Sequence, residues 1–311
     1  AIDLLTLVLH KPNFDSQIIK REKKRYIASI NQSETMPESI ASKAFMKALY
    51  GEHPYSFPSS GEVKSIKKIN KKDLQDFYKN NYLSNELSVV IVGDISRVEA
   101  ENIGKKISVG FPENKMTTAI PLVSFKKPQE INISHPSKQA HLYYGAPIIK
   151  RGDPDFLILY LGNYILGGGG FVSRLTQEIR EDRGLAYSVY SYFMPYIEAG
   201  PFQIGIQTKK DQVNQAKKLI QETVSNFIKN GPTSKELKRA KDFMIGGFPL
   251  RLDSNKSILE YVSMMAFYKY PLDYLDTFTK KIDKISAKEI KSAFQRRVDM
   301  SKFSTVIVGG E

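Results

Sequence analysis

Apolar side chains recur every three or four residues over long parts of this chain, the spacing that places them on one face of a helix. Residues 1–9 have this pattern, and Asp15 stands where the N-cap of a second helix, running to about Asn31, is expected. Pro37 opens a further helix that closes at Gly51, because proline suits a first helical turn and glycine suits a C-terminus. The first hundred residues are therefore predicted to be rich in helix.

Shorter apolar runs bounded by turn residues predict strands. One such run is Leu87–Val92, and others are found at 130–134 and 138–146. Residues 202–207 alternate between apolar and polar side chains, which predicts an antiparallel strand with one buried face. The chain ends in another strand-like run, Phe303–Val308.

Two helices are expected after the alternating strand. The first would bury a stripe of apolar side chains, and the second opens with Thr233 and Glu236 at the spacing of a capping box. The stripe consists of Val213, Ala216, Ile220, Val224 and Phe227. Strands and helices that follow one another in this way predict an α+β fold.

The length of 311 residues favours two domains over one core. Between Pro112 and about Lys127 no periodic pattern is sustained, and prolines interrupt the segment. We therefore predict a first domain over 1–112, a linker over 113–128 and a second domain over 129–311.

The chain also contains an internal repeat. Residues 285–310 align with residues 69–94 without a gap, at a constant offset because 285 − 69 = 216 and 309 − 93 = 216. Both copies contain a helix cap (Asn70 in the first), an amphipathic helix, a short turn and an apolar run that contains Val-Ile-Val-Gly. A match of this kind predicts two homologous domains.

The same repeat predicts that the first domain is incomplete. The second copy begins near Glu130, and since 130 − 216 = −86, about 86 residues of the first copy are expected before Ala1. On this hypothesis the chain is a C-terminal portion of a longer protein.

Residues 167–190 join a glycine run, a charged helix and a tyrosine-rich strand that is expected to pair with 202–207. Arg180 lies on the last turn of the helix, and Tyr187 follows seven residues later on the strand. A guanidinium and a phenol on two rigid elements can bind one carbonyl or carboxylate together. A helix end with a surface arginine and a half-buried strand explains the same pattern. The glycines, Gly167, Gly168, Gly169 and Gly170, suit backbone that bends or approaches something closely.

Composition narrows the chemistry. The chain has no cysteine, which excludes disulfides, thiolate catalysis and zinc–cysteine sites. The four histidines are scattered, so a histidine metal site formed by this chain alone is not expected. They are His10, His53, His135 and His141.

The net charge of +13 raises the question of an acidic partner. The lysines, however, are spread along amphipathic helices at 20–25, 64–72, 209–218 and 235–241, without interleaved aromatic residues. This pattern favours a solvated helix surface over nucleic-acid binding.

Two segments resemble the pitrilysin-like zinc metallopeptidases (inverzincins), a family that includes insulysin and the mitochondrial processing peptidase. The first reads ALYGEHPYSFPSSGEVKSIKKINKKDLQDFYKNNYLSNELSVVIVGD and the second reads GGGGFVSRLTQEIREDRGLAYSVYS. The resemblance implies two tandem homologous domains, each a mostly antiparallel sheet covered by helices.

In this family an H-x-x-E-H helix in the first domain binds zinc through its histidines, and its glutamate activates water. By resemblance, that helix would precede Ala1. A further glutamate ligand is expected on a later helix, seven residues after another glutamate. Glu22 matches the earlier glutamate, but Ser29 stands at the ligand position, and serine is a poor zinc ligand. No metal site is therefore expected in this chain.

Some members of the family divide the work between two chains. The resemblance then implies that Arg180 and Tyr187 act as the catalytic pair of a non-zinc subunit and that Gly167–Gly170 contact the peptide substrate. Zinc would belong to a homologous partner subunit, or to the expected N-terminal region. Self-association is the alternative to a heterodimer, and a periplasmic location is expected, with a cytoplasmic one as the alternative. Neither a nucleic-acid partner nor a membrane span is expected.

Three other interpretations stay open. An H-x-x-E-H before Ala1, with another carboxylate in place of Ser29, would make the protein an active zinc peptidase. The fold also occurs in non-catalytic scaffold subunits of respiratory complexes. A basic nucleic-acid-binding protein is the third, although the chain contains no motif for reading bases.

Overall fold

The computed structural model describes residues 1–113 and 119–309 of the chain. Its α-helices are α1 (Ile2–His10), α2 (Ser16–Ser33), α3 (Pro37–Tyr50), α4 (Val63–Lys68), α5 (Lys71–Asn81), α6 (Arg97–Ser108), α7 (Phe156–Asn163), α8 (Val213–Asn230), α9 (Ser234–Gly246), α10 (Asn255–Phe267), α11 (Tyr274–Lys284) and α12 (Ala287–Arg297). Its strands are β1 (Glu130–Ile133), β2 (Gln139–Ile149), β3 (Ala186–Phe193), β4 (Gly200–Lys209) and β5 (Ser304–Val308). The predicted α+β class is confirmed.

The chain forms two compact units. The first unit contains residues 1–32, 59–119 and 250–271, and the second contains residues 33–58, 120–249 and 272–311. The predicted division at 1–112, 113–128 and 129–311 follows the repeat along the sequence and stays a prediction. Residues 114–118 of the predicted linker lie outside the described residues.

The first unit is helical. Asp15 caps α2 as predicted, since its carboxylate accepts the amides of Gln17 and Ile18 at 2.8 and 3.0 Å. α1 contacts α6, where the His10 ring packs at a tilt against Phe111 at a centroid distance of 4.4 Å and its Nε2 donates to the carbonyl of Ile107. This unit contains the groove between α2 and the junction of α4 with α5 that is described below.

The second unit is built on a five-stranded sheet of order β1-β5-β2-β4-β3. β1 pairs with β5 in parallel, and the other pairs are antiparallel. α3 covers one face, where Phe45 packs against Tyr143 and Val306. Side chains on the opposite face, including Phe202 and Phe193, pack towards the helical layer of α7, α8 and α12. In the strand order given above, β3 lies at one edge of the sheet. The candidate site lies on and beside this edge strand.

The predicted apolar stripe of α8 is confirmed, because all five of its predicted side chains are buried. The capping box of Thr233 and Glu236 at the start of α9 is also present. The expected pairing of the tyrosine-rich strand with 202–207 is observed as the β3–β4 ladder.

Two strand predictions were wrong. Residues 87–92 are not a strand, and Leu87 and Val89 are 36% and 37% exposed. A strand needs a hydrogen-bonded neighbour. The equivalent run in the second repeat has β1 and β2 on its two sides, whereas the described residues offer 87–92 no paired strand.

β4 was expected to have one buried face, but both faces are buried. Gln203 is only 5% exposed and donates from Nε2 to the Tyr192 hydroxyl at 2.8 Å. Gly205 lies under the ring of Tyr190, which fills the space that a side chain would need. Helices cover both faces of the sheet, so the alternation of the sequence does not correspond to a solvent-facing side.

The internal repeat is reproduced by the structure. Because 71 + 216 = 287 and 81 + 216 = 297, α5 and α12 begin and end at equivalent residues. Asn70 and Ser286 cap them with the same reciprocal box. The short 3₁₀ turns that follow, Ser84–Glu86 and Met300–Lys302, also lie at this offset.

Candidate functional site

The glycine run follows directly from α7, whose apolar helix continues as a π-helical turn over Tyr164–Gly168. This turn lies against β3. A Cβ on Gly167 would lie 2.3 Å from Oγ and 2.9 Å from the backbone nitrogen of Ser191. Glycine is thus required at 167 because backbone approaches backbone there.

Asn163 fixes the same turn to the edge of the sheet. Its Nδ2 donates to the carbonyl of Ser191 at 2.8 Å, and the Ser191 hydroxyl donates to its Oδ1 at 2.6 Å. Both side chains are buried, at 5% and 1% exposure. Their polar groups are satisfied by each other, so this part of the β3 edge is closed by the chain itself.

The end of the glycine run forms an exposed apolar tip. Gly170 has φ of +59°, a left-handed conformation that favours glycine, and opens a 3₁₀ turn that places Phe171 and Val172 at 67% and 54% exposure. The hydroxyl of Ser173 donates to the Gly170 carbonyl at 2.8 Å and holds the turn. The tip therefore has a defined backbone although its side chains face solvent.

Arg180 lies on a π-helical stretch, Thr176–Glu181, and the chain turns soon afterwards at Gly184, whose φ of +61° lies in the left-handed region. Its guanidinium lies 4.6 Å from the centroid of the Phe171 ring, and its Nε is 3.7 Å from Glu181. The side chain is 37% exposed. The arginine is thus presented beside the tip by a stacking contact that a lysine would not reproduce in full.

Tyr187 lies at a bulge in β3. Ala186 pairs with Thr208 and Ser188 pairs with Gln207, so Tyr187 is the additional residue of the ladder. A bulge changes the direction of one side chain. Tyr187 is 72% exposed, in contrast to the buried tyrosines of the sheet.

The structure therefore places the predicted pair on one continuous segment, at the helix end and the strand start. Within the described part of the chain, no hydrogen bond or ion pair joins the two side chains, and Arg180 stacks on Phe171. Each side chain is open to solvent and held by an ordered backbone.

Arg174 anchors the helix that carries Arg180. Its Nε and Nη2 donate to the two carboxylate oxygens of Glu236 at 2.6 and 2.8 Å, and Nη2 also donates to the Gly231 carbonyl at 3.0 Å. The guanidinium lies 5.0 Å from the centroid of the Phe227 ring. Burial by itself raises the pKa of Glu236, but hydrogen bonds from Arg174 and Thr233 outweigh it and lower the pKa to about 2.

A cavity of about 510 Å³ adjoins the glycine run and β3. It is lined by Tyr160, Asn163, Tyr164, Gly167, Gly168, Gly170, Val189, Tyr190, Ser191, Tyr192 and Met244. None of these residues is charged, and Asn163 and Ser191 already bond to each other. The uncharged lining favours an apolar group, and the volume lies within the range of known ligand pockets.

Sequence reasoning missed Asn163, Phe171 and the pair of Arg174 with Glu236. An asparagine at the end of an apolar helix, just before a glycine run, is a signal that could have indicated the first. The capping-box glutamate was recognised, but its partner lies 62 residues away and no local pattern connects the two.

Neither Glu22, which the resemblance matches to the family's earlier glutamate, nor the loop histidine His53 can bind zinc without losing an existing contact. Glu22 is paired with Arg21 at 2.9 Å and with Arg25 at 2.8 Å, and a hydrogen bond from Arg21 lowers its pKa. His53 caps a 3₁₀ turn through Nδ1 and donates from Nε2 to the Pro121 carbonyl at 2.8 Å. Across residues 1–113 and 119–309, no three histidine or carboxylate side chains cluster as metal ligands.

Comparison with known protein families identifies the family of this chain. The family model described as peptidase M16 inactive domain matches residues 68–244, which is more than half of the chain. The chain belongs to the peptidase M16 family. This result confirms the resemblance found in the sequence.

Relatives in this family carry contrasting names. An uncharacterized zinc protease YmxG of Bacillus subtilis is 31% identical over 83% of this chain and 62% of its own length. A non-peptidase homolog YmxG of Helicobacter pylori is 29% identical over 100% of this chain and 72% of its own length. The chain thus spans about three fifths of the length of the first relative.

A crystal structure of a peptidase M16 inactive domain from Pseudomonas fluorescens superimposes with a TM-score of 0.95 and 35% identity. The match covers 100% of this chain and 74% of that one. Among the described residues of the present M16 chain, no helix has both the length and the apolar character that crossing a membrane requires.

Proposed function

We propose that this M16 chain is the non-zinc subunit of a heterodimeric zinc metalloendopeptidase and that it binds peptide substrates through the segment 167–190. The observation that carries the proposal is the presentation of Tyr187, at 72% exposure on a bulge, on the strand that follows the helix end carrying the half-buried Arg180. Exposed tyrosine and arginine side chains on an ordered backbone are typical of binding and catalytic sites.

The two side chains supply complementary chemistry. The Tyr187 hydroxyl can donate a hydrogen bond to the oxyanion that forms when water adds to a peptide carbonyl. Arg180 can hold a neighbouring carbonyl through its planar guanidinium. One donor of this kind stabilises a transition state by roughly 2.7 to 4 kcal/mol.

The substrate is proposed to be an extended peptide with an apolar side chain. The uncharged cavity beside Gly167–Gly170 has room for such a side chain, and Gly168 and Gly170 are exposed next to it. The Ser191 carbonyl already accepts a hydrogen bond from Asn163. A peptide that adds to the β3 edge would therefore form its backbone hydrogen bonds at Val189.

Zinc, on this proposal, is bound by a homologous partner subunit and activates the attacking water there. The pairing of Glu22 with two arginines supports a metal-free role for this chain. The alternative is that an H-x-x-E-H outside the 311 residues binds the zinc. We also propose a periplasmic location, from the family resemblance.

The test is peptide hydrolysis by the chain reconstituted with a zinc-bearing M16 subunit from the same genome. We expect Tyr187→Phe to lower kcat by about 100- to 1,000-fold, because it removes a donor to the oxyanion. Arg180→Ala should lower kcat/KM, because it releases the neighbouring carbonyl that positions the substrate. Tyr26→Phe and Arg97→Ala are matched controls, because both residues are exposed on helices of the first unit.

Unchanged turnover in both site variants would contradict the catalytic role and favour a scaffold subunit. We retain the scaffold subunit as a second candidate function because the Helicobacter pylori relative is named a non-peptidase homolog. A scaffold would bind its partner normally in both variants and would give no hydrolysis that depends on this chain.

A further inference from the structure

A groove with lysines at its rim lies in the first compact unit, between α2 and the junction of α4 with α5. Its volume is about 390 Å³. The side chains of Ile19, Ile27 and Ile69 are half-buried and form an apolar floor. Five lysines line it, and we name this site the lysine groove: Lys20, Lys23, Lys24, Lys67 and Lys71.

The two lysine-rich segments at 20–25 and 64–72, far apart in sequence, thus meet at one apolar cleft. In the part of the chain that the structure describes, none of the five groove lysines forms an ion pair. Carboxylates on the same helices are engaged elsewhere. Glu22 binds Arg21 and Arg25, and Asp76 binds Lys72. Asp15 and Asp73 accept backbone amides at the starts of α2 and α5. The positive charge of the groove is therefore not neutralised by this chain.

One of the lysines is held in place by backbone. Lys23 Nζ donates to the carbonyl oxygens of Lys67 and Ile69, at 2.9 and 2.6 Å. This contact ties α2 to the end of α4 and fixes the shape of the groove. The other four side chains are exposed at its rim.

The internal repeat shows that the fold does not require these charges. A lysine contact of the same kind occurs in the second repeat, where Lys241 donates to the carbonyl of Asp283, and 67 + 216 = 283. There an aspartate replaces Lys67, and Ala287 replaces Lys71, since 71 + 216 = 287. The two helical junctions are thus built alike, although the second has no lysine at the positions of Lys67 and Lys71.

We infer that the lysine groove binds an acidic amphipathic helix of a partner protein, with an apolar side chain on the isoleucine floor and carboxylates opposite the rim lysines. A concave floor receives an inserted side chain, whereas a membrane surface is bound by apolar residues that project. Nucleic acid would leave the apolar floor uncovered. Charge complementarity and the apolar floor together favour the peptide.

The experiment uses a synthetic helical peptide with leucines at i, i+3, i+4 and i+7 and glutamates on both flanks. Its binding to the 311-residue chain is measured by fluorescence anisotropy. We expect the double variant Lys67→Asp, Lys71→Ala, which copies the second repeat, to weaken binding by about ten-fold, because it removes two rim charges and adds an opposing one. Binding to the unchanged chain should also weaken as salt rises.

The matched control is Lys280→Asp with Lys284→Ala, which makes the same charge change on α11 and should leave binding unchanged. A second groove variant, Lys20→Gln with Lys24→Gln, addresses the opposite wall if the first unfolds by circular dichroism. Equal binding by groove and control variants, equal binding of a peptide with lysine in place of glutamate, or a groove-dependent preference for anionic vesicles or DNA would each overturn the inference.

Discussion

A methyl group at position 167 would lie 2.3 Å from the Ser191 hydroxyl and 2.7 Å from Leu175 Cδ1. These contacts give Gly167 a structural reason that is independent of any substrate. Gly170 has a different reason, since its surroundings are open but its φ of +59° disfavours a side chain. The role of the glycines in binding peptide stays a proposal.

We predict that Gly167→Ala destabilises the second unit by about 1 to 3 kcal/mol, because the added methyl group forces the turn away from β3. Urea unfolding followed by tyrosine fluorescence measures the effect. Gly246→Ala is the control, because a Cβ there meets nothing within 4 Å. Equal stability of the two variants would show that the turn adapts to the methyl group without cost.

Residue types at the site were readable from the sequence, but their presentation was not. The seven-residue spacing indicated Arg180 and Tyr187 as the candidate pair, and their role stays a prediction. The bulge that exposes Tyr187 depends on the register between β3 and β4, and the stacking of Arg180 on Phe171 depends on the path of the glycine turn. Neither is a local property of the sequence.

At the scale of elements, the helix that carries Arg180 is attached to the start of α9 by Arg174 and Glu236. The pKa of Glu236, lowered to about 2 in the folded chain, lies below the 4.5 of an unperturbed glutamate. Stability from this pair is therefore fully present above pH 4.5 and is lost as the pH falls towards 2.

We predict that Glu236→Gln lowers the free energy of unfolding by roughly 2 kcal/mol at pH 7, since the amide cannot carry the charge that Arg174 binds. The difference from the unchanged chain should shrink as urea unfolding is repeated from pH 5 to pH 2. Glu222→Gln is the control, because that carboxylate is 58% exposed and its ion pair with Lys218 is weak at 3.9 Å. A difference that stays constant with pH would refute the linkage.

Helix bounds were predicted well where a local cap defines them. Asp15, Asn70 and Thr233 all cap helices. The run at 87–92 was predicted wrongly because a strand depends on neighbours that no local pattern specifies.

At the scale of the whole molecule, three of the four scattered histidines, His10, His53 and His135, bond through their rings to backbone carbonyls. His10 and His53 each donate to a backbone carbonyl, and Glu22 is held by two arginines. A metal would have to break these contacts before it could bind.

We therefore predict that the purified 311-residue chain, dialysed against excess zinc and then against buffer, retains well below one equivalent of metal by atomic absorption. Its thermal unfolding midpoint should not change when a chelator is added, because no bound metal stabilises the fold. One retained equivalent, or a midpoint lowered by chelator, would refute the metal-free reading of this chain.

The sequence by itself determined the α+β class, the helix caps, the repeat at an offset of 216 and membership of a peptidase family, because these follow from local periodicity and from motifs. Only the tertiary structure decided that β3 is an edge strand closed by Asn163, that Arg174 binds Glu236 and that two lysine segments form one groove. These features join residues far apart in the chain, and their contacts exist only once the chain has folded.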